Sequence, residues 1–134
     1  MKNTIEKLRG TKISDDEYKI FILTYPLFLI AIADGTFDPE EKDFMKNILY
    51  NFLNPLYKDN ITQEQYENLI DNYILDFEEL FRSNDHKVEI LTEFSKFDQE
   101  VKNAILELLN EVANISDGIS EQEKLEISNI QNYI

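Results

Sequence analysis

Four times this chain announces the start of a helix in the same way. Ser14-Asp15-Asp16-Glu17, Asp38-Pro39-Glu40-Glu41, Thr62-Gln63-Glu64-Gln65 and Ser120-Glu121-Gln122-Glu123 each place a hydroxyl or carboxylate three residues before Glu or Gln. That spacing lets the first side chain accept the exposed N–H of the third helical residue, while the Glu or Gln reaches back to the cap. Pro39 falls at the first helical position, which tolerates proline best. Asp98 and one of Ser83, Asn84 or Asp85 serve as simpler caps. With only three glycines and three prolines, the chain has too few punctuators for a many-stranded β protein.

Periodicity agrees with the caps. Tyr66, Leu69, Ile70, Tyr73, Ile74, Phe77, Leu80 and Phe81 form an i, i+3, i+4, i+7 stripe. Phe44, Met45, Ile48, Leu49, Phe52 and Leu53 form another, and Val101, Ile105, Leu108, Leu109 and Val112 a third. No segment alternates with period two over a strand's length. The reading predicts helices over 3–9, 15–33, 39–53, 63–82, 86–97, 99–116 and 121–133, with Pro26 kinking the second and a loop at 54–61 around Pro55. Leu23, Leu27, Ile30, Phe44, Ile48, Leu69, Tyr73, Phe77, Leu108 and Val112 are the expected core.

Composition bounds what such a bundle can do. A chain of 134 residues, 43% hydrophobic and 12% aromatic, is long enough to bury one core. It lacks cysteine, which excludes disulfides, thiolate metal sites and a cysteine nucleophile and fits a cytoplasmic setting. Thirteen basic against 27 acidic residues leave a net charge of −14. That field repels nucleic acid and anionic lipid and favours a partner with a basic surface. The N-terminus has no signal-peptide pattern, and the apolar run Ile20 to Ala33 is too short to span a membrane. It reads as a buried central helix. His86, the single histidine, lies in the polar stretch "SNDHKVE" and reads as a solvated surface residue. With no nucleophile-elbow serine and no Gly-rich phosphate loop, the chain is read as non-enzymatic.

The apolar run ends abruptly in Asp34-Gly35, followed by Phe37 and the second cap. A weaker copy, "NISDGISEQEKLEI", lies at 114–127. Asp34-Gly35 aligns with Asp117-Gly118, and Glu41, Lys42, Met45 and Ile48 align with Glu123, Lys124, Ile127 and Ile130. Helix–DG–helix thus occurs twice, near 20–53 and 99–133, and the simplest packing is two helical hairpins related by approximate symmetry. Asp34 to Glu41 also matches the second half of an EF-hand loop, but the first half offers Ile30 and Ile32 where oxygen ligands belong. Glycine just past a helix end accounts for both breaks as plain turn chemistry. Asp34 and Asp117, at the negative C-terminal poles of their helices, are the carboxylates that capping explains least.

An apolar helix ending in "ADG", then an apolar residue, "DPEE" and an amphipathic helix, with a weak repeat near the C-terminus, resembles the TerB-like family. This family comprises the tellurite-resistance TerB domain and its relatives, among them the N-terminal domain of some DnaJ-type co-chaperones. The resemblance covers roughly residues 20–130. It implies an all-helical domain with two pseudo-repeated acidic helix junctions suspected of binding metal, and agrees with the all-α, single-domain bundle of six or seven helices over 1–134 that the caps and stripes predict. By that carry-over, Asp34, Asp38, Glu41, Asp117 and Glu123 are the candidate metal ligands. The second copy, "SDGISEQE", is one residue shorter between Gly118 and the following apolar residue, which shifts its register. The resemblance implies an interaction or accessory module in stress response or phage defence. The alternative is a divalent-metal-binding protein, with carboxylate oxygens suited to Ca²⁺, Mg²⁺ or Mn²⁺.

Overall fold

The structure, a computed structural model, describes residues 1–33, 35, 37–115 and 120–133. Among them it has seven α-helices and no strand: α1 Lys2–Arg9, α2 Asp15–Ala31, α3 Pro39–Tyr57, α4 Gln63–Phe81, α5 Asn84–Ser95, α6 Gln99–Ala113 and α7 Glu121–Gln131. The expected caps form. Ser14, Asp38, Thr62, Ser83 and Ser120 each accept the backbone N–H three residues on, and the reciprocal side-chain bond closes at Thr62–Gln65 and Ser120–Glu123. Asp98 occupies the cap position of α6 without a side-chain bond. Gly10 ends α1 in the left-handed conformation, φ 72°, its N–H donating to the Glu6 carbonyl.

α2 organises the molecule. Every residue from Ile20 to Ala31 is buried, as befits a helix apolar on all sides. It packs against α3, α4, α5, α6 and α7, most extensively against α6 and α3. Phe21, Tyr25 and Phe28 surround the Phe77 ring of α4, with centroids 4.8, 5.7 and 5.5 Å away. Pro26 sits within α2. The hydroxyl of Thr24, fully buried, donates to the Ile20 carbonyl at 2.7 Å, so it enters the core without an unmet donor. No helix among the described residues is long and apolar enough to cross a membrane.

Several expectations need correction. α3 runs through Pro55 to Tyr57 instead of stopping at 53, so the loop shrinks to 58–62. Proline removes one donor, which would have served the carbonyl of exposed Asn51, where water can substitute. The helix end is then held from outside: the Tyr66 hydroxyl donates to the Lys58 carbonyl at 2.6 Å, and Tyr57 packs edge-on against the Tyr66 ring. α2 ends at Ala31 and α6 at Ala113, two and three residues early. Phe44, Leu69 and Leu108 are only partly buried, whereas Met45, Leu49, Leu53 and Leu109 are fully enclosed. The α3 stripe centres about one residue to the side of Phe44, and Leu109 takes the place of Leu108, whereas Tyr73, Phe77 and Val112 are buried as expected.

Candidate functional site

The α2–α3 and α6–α7 junctions are built alike. In each, a short polar side chain caps the incoming helix and a glutamate three residues on is buried. Asp38 Oδ1 accepts the Glu41 N–H at 2.9 Å, and Glu41 is 4% exposed. Ser120 Oγ accepts the Glu123 N–H at 3.1 Å, and Glu123 is 6% exposed. Glu123 returns a bond through Oε1, which accepts from the Ser120 N–H at 3.0 Å. The positive pole of each helix offsets the cost of enclosing a carboxylate there. Phe37 anchors the first junction by stacking on buried Phe28, with centroids 5.5 Å apart and planes at 21°. Phe81 stacks on Phe28 as well, at 6.1 Å, leaving an exposed ring beside the junction.

Of the five candidate ligands, Asp38, Glu41 and Glu123 are therefore engaged at helix starts. Asp34 and Asp117 lie outside the described residues. Among the described residues no three His, Cys, Asp or Glu side chains converge as a cation would need. The described carboxylates do not by themselves fit a divalent ion.

His86 is not the solvated residue its polar neighbours suggest. It is half-buried at the start of α5, and its Nδ1 is shielded from solvent with no hydrogen-bond partner. Next to it, Lys87 pairs with Glu126 of α7 at 2.9 Å. Burial of the Tyr25 hydroxyl, reinforced by the Glu126 charge, pushes its pKa well above the ordinary tyrosine value.

The sequence reading missed a second charged site, where α1 and the turn after it meet α4. The Arg9 side chain is 6% exposed, and its Nε donates to Asp76 Oδ2 at 2.5 Å. The guanidinium carbon lies 4.4 Å from the centroid of the Tyr73 ring, a cation–π contact. Arg9 Nη2 is buried without an acceptor. An unmet charged donor of that kind costs at least about 1–3 kcal/mol. Burial raises the Asp76 pKa above the ordinary 3.8 despite the opposing pull of Arg9. Glu17, whose N–H bonds the α2 cap, makes no reciprocal bond to Ser14. Burial, reinforced by the nearby Glu17 carboxylate, pushes the Tyr57 hydroxyl up to about 12. With Leu8, Lys12, Leu69, Asn72 and Leu75 among their neighbours, these residues line a cavity of about 360 Å³. One signal could have found it. Asp76 interrupts the apolar stripe of α4 between Tyr73 and Phe77, and a carboxylate on a buried face requires a partner.

In comparison with known proteins, no family, no curated protein and no solved structure matches this chain.

Proposed function

We propose that the chain is a cytoplasmic, non-enzymatic interaction module of TerB-like type, a single domain over 1–134. Its two acidic helix junctions meet a protein partner with a basic surface, in stress response or phage defence. The observation that carries this reading is the matched construction of the junctions: cap, buried glutamate, amphipathic helix, twice. The packing is compatible with two related hairpins, since α2 contacts both α3 and α6, and α6 contacts α7. One groove is lined by Asp15, Tyr18, Lys19 and Ile22 of α2 together with Asp98, the cap of α6. Helices that begin side by side and pack along their length run in the same sense. That supports a common end of the bundle for both junctions. The exposed carboxylates Glu40, Asp43 and Glu121 would then face a partner together.

The test is capture from the source cell followed by charge reversal. Glu40→Lys with Glu121→Lys should weaken the captured complex, as should added salt, whereas Glu64→Lys on α4 should not. A complex indifferent to the junction reversal would overturn the reading.

A second reading, divalent-cation binding, rests on the two buried glutamates and on Asp34 and Asp117 to complete the ligand set. Ca²⁺, Mg²⁺ or Mn²⁺ should then stabilise the fold by about 2.7 kcal/mol at a hundredfold excess over the dissociation constant. Asp34→Asn with Asp117→Asn should abolish that gain. A thermal shift no larger than that of sodium chloride at matched ionic strength would exclude this reading.

A further inference from the structure

The interaction reading makes no use of the cavity between α1 and α4. Its walls bring together four formal charges, two of each sign. Arg9 and Lys12 contribute the positive ones, Glu17 and Asp76 the negative ones. Arg9, Glu17 and Asp76 are almost wholly buried, so these charges were taken out of water to be placed here. At the mouth stand Leu8, 42% exposed, and Leu75, 61% exposed. A single exposed leucine is ordinary. Two on the rim of one cavity, above buried charges, match the usual make-up of a small-molecule site, with apolar walls and a few fixed polar groups. The volume of about 360 Å³ lies within the range of about 300–1,000 Å³ that such sites span.

We propose that this cavity binds a free α-amino acid with an aliphatic side chain. Charge balance selects the ligand. A lone anion would meet Arg9 and Lys12, but also two carboxylates and the field of a chain with net charge −14. A lone cation would meet the Arg9 guanidinium. A molecule carrying both charges on one carbon suits a wall that carries both. Its carboxylate oxygens pair with exposed Lys12 and offer an acceptor to Arg9 Nη2, which is shielded from solvent and must turn toward the cavity to reach it. Its ammonium group is taken by Glu17 and by the Asp76 oxygen that Arg9 Nε does not engage. Its side chain lies against Leu8, Leu69 and Leu75 and covers apolar surface now exposed to water. Because the ligand is neutral overall, the acidic field does not oppose its approach.

Titration of the full chain with L-leucine, followed by calorimetry and by methyl NMR, tests this. Saturable binding should perturb the methyl signals of Leu8, Leu69 and Leu75. Two probes each remove one charge: 4-methylpentanoate lacks the ammonium group and leucinamide lacks the carboxylate. Each should bind at least about tenfold more weakly than leucine. Leu75→Asp alters an exposed rim position without touching the core, and should abolish binding in a protein that still melts cooperatively. Leu125→Asp, on exposed α7 surface, should leave binding intact. The proposal is overturned if leucine shows no saturable binding, if either probe binds as well as leucine, or if Leu75→Asp binds normally.

Discussion

Two regions of this molecule bury carboxylates, and they do so by opposite means. At the helix junctions the bonds that place Glu41 and Glu123 are local: both N–H groups bond their caps, and the Glu123 carboxylate returns to Ser120. The capping bonds of 2.9–3.1 Å join residues three apart, and the helix pole supplies the favourable field. Beside α1, Asp76 depends on Arg9, 67 residues away, and the pair exists only once α1 has docked on α4. The first arrangement forms with its own helix. The second is bought by closing a long stretch of chain, so it stands or falls with the whole fold. Acidic side chains of equal burial therefore carry very different consequences for stability.

The sharpest way to break that comparison is Asp76→Ala. It leaves the Arg9 charge enclosed and unpaired, and should cost about 3–5 kcal/mol in urea denaturation. Replacing both partners by apolar groups, Arg9→Met with Asp76→Leu, should recover most of that loss, because neither charge then remains in the interior. A single-variant loss under about 1 kcal/mol would show that the pair is solvated in solution and that the two regions do not differ.

The same contrast explains what could be read from the sequence. Ser14, Asp38, Thr62 and Ser120 were legible as helix starts because each cap is decided within three residues. The identity of α2 as the central helix was legible because no polar face interrupts it. The end of α3 was not, since its last turn is held by Tyr66, a residue of the next helix. Nor was the half-burial of His86, whose neighbours in sequence are polar while α7 packs nearby in space. Ser14-Asp15-Asp16-Glu17 has the spacing of a reciprocal cap, but only the Glu17 N–H bond to Ser14 forms, with Glu17 buried beside α1 and α4. Of the candidate site, the caps and the Asp38, Glu41 and Glu123 placements followed from local rules. The Arg9–Asp76 pair did not, because nothing within a helix's length of Asp76 names its partner.

A smaller effect sharpens the junction side. Asp38→Ala and Ser120→Ala each remove one cap and should cost about 1 kcal/mol, within a range of about 0.5–2. The two sites are far apart in sequence and use different helices, so the double variant should lose close to the sum in thermal melts. A loss at either cap as large as that of Asp76→Ala would mean that the junctions, too, are held by distant partners.

The smallest effect is one of sign, and it separates tertiary burial from pairing at the surface. Burial raises the folded-state pKa of Asp76 above 3.8, with Arg9 opposing. A carboxylate whose pKa is raised on folding holds its proton more tightly in the native state than in the unfolded one. Its favourable contribution is therefore complete below the unfolded pKa and is lost as the pH rises through the folded pKa. Asp15 behaves in the opposite way. Its hydrogen bond with Lys2, at 2.7 Å on the surface, lowers its pKa, so its contribution is present above 3.8 and is lost as the pH falls through the folded value. Urea midpoints of wild type, Asp76→Asn and Asp15→Asn from acid to neutral pH should show these slopes directly. The advantage of wild type over Asp76→Asn should shrink as the pH rises from 3.8, whereas its advantage over Asp15→Asn should grow over the acid range. If both differences grow with pH, the Arg9 charge outweighs burial at Asp76, and the cavity beside it is better hydrated than its geometry implies.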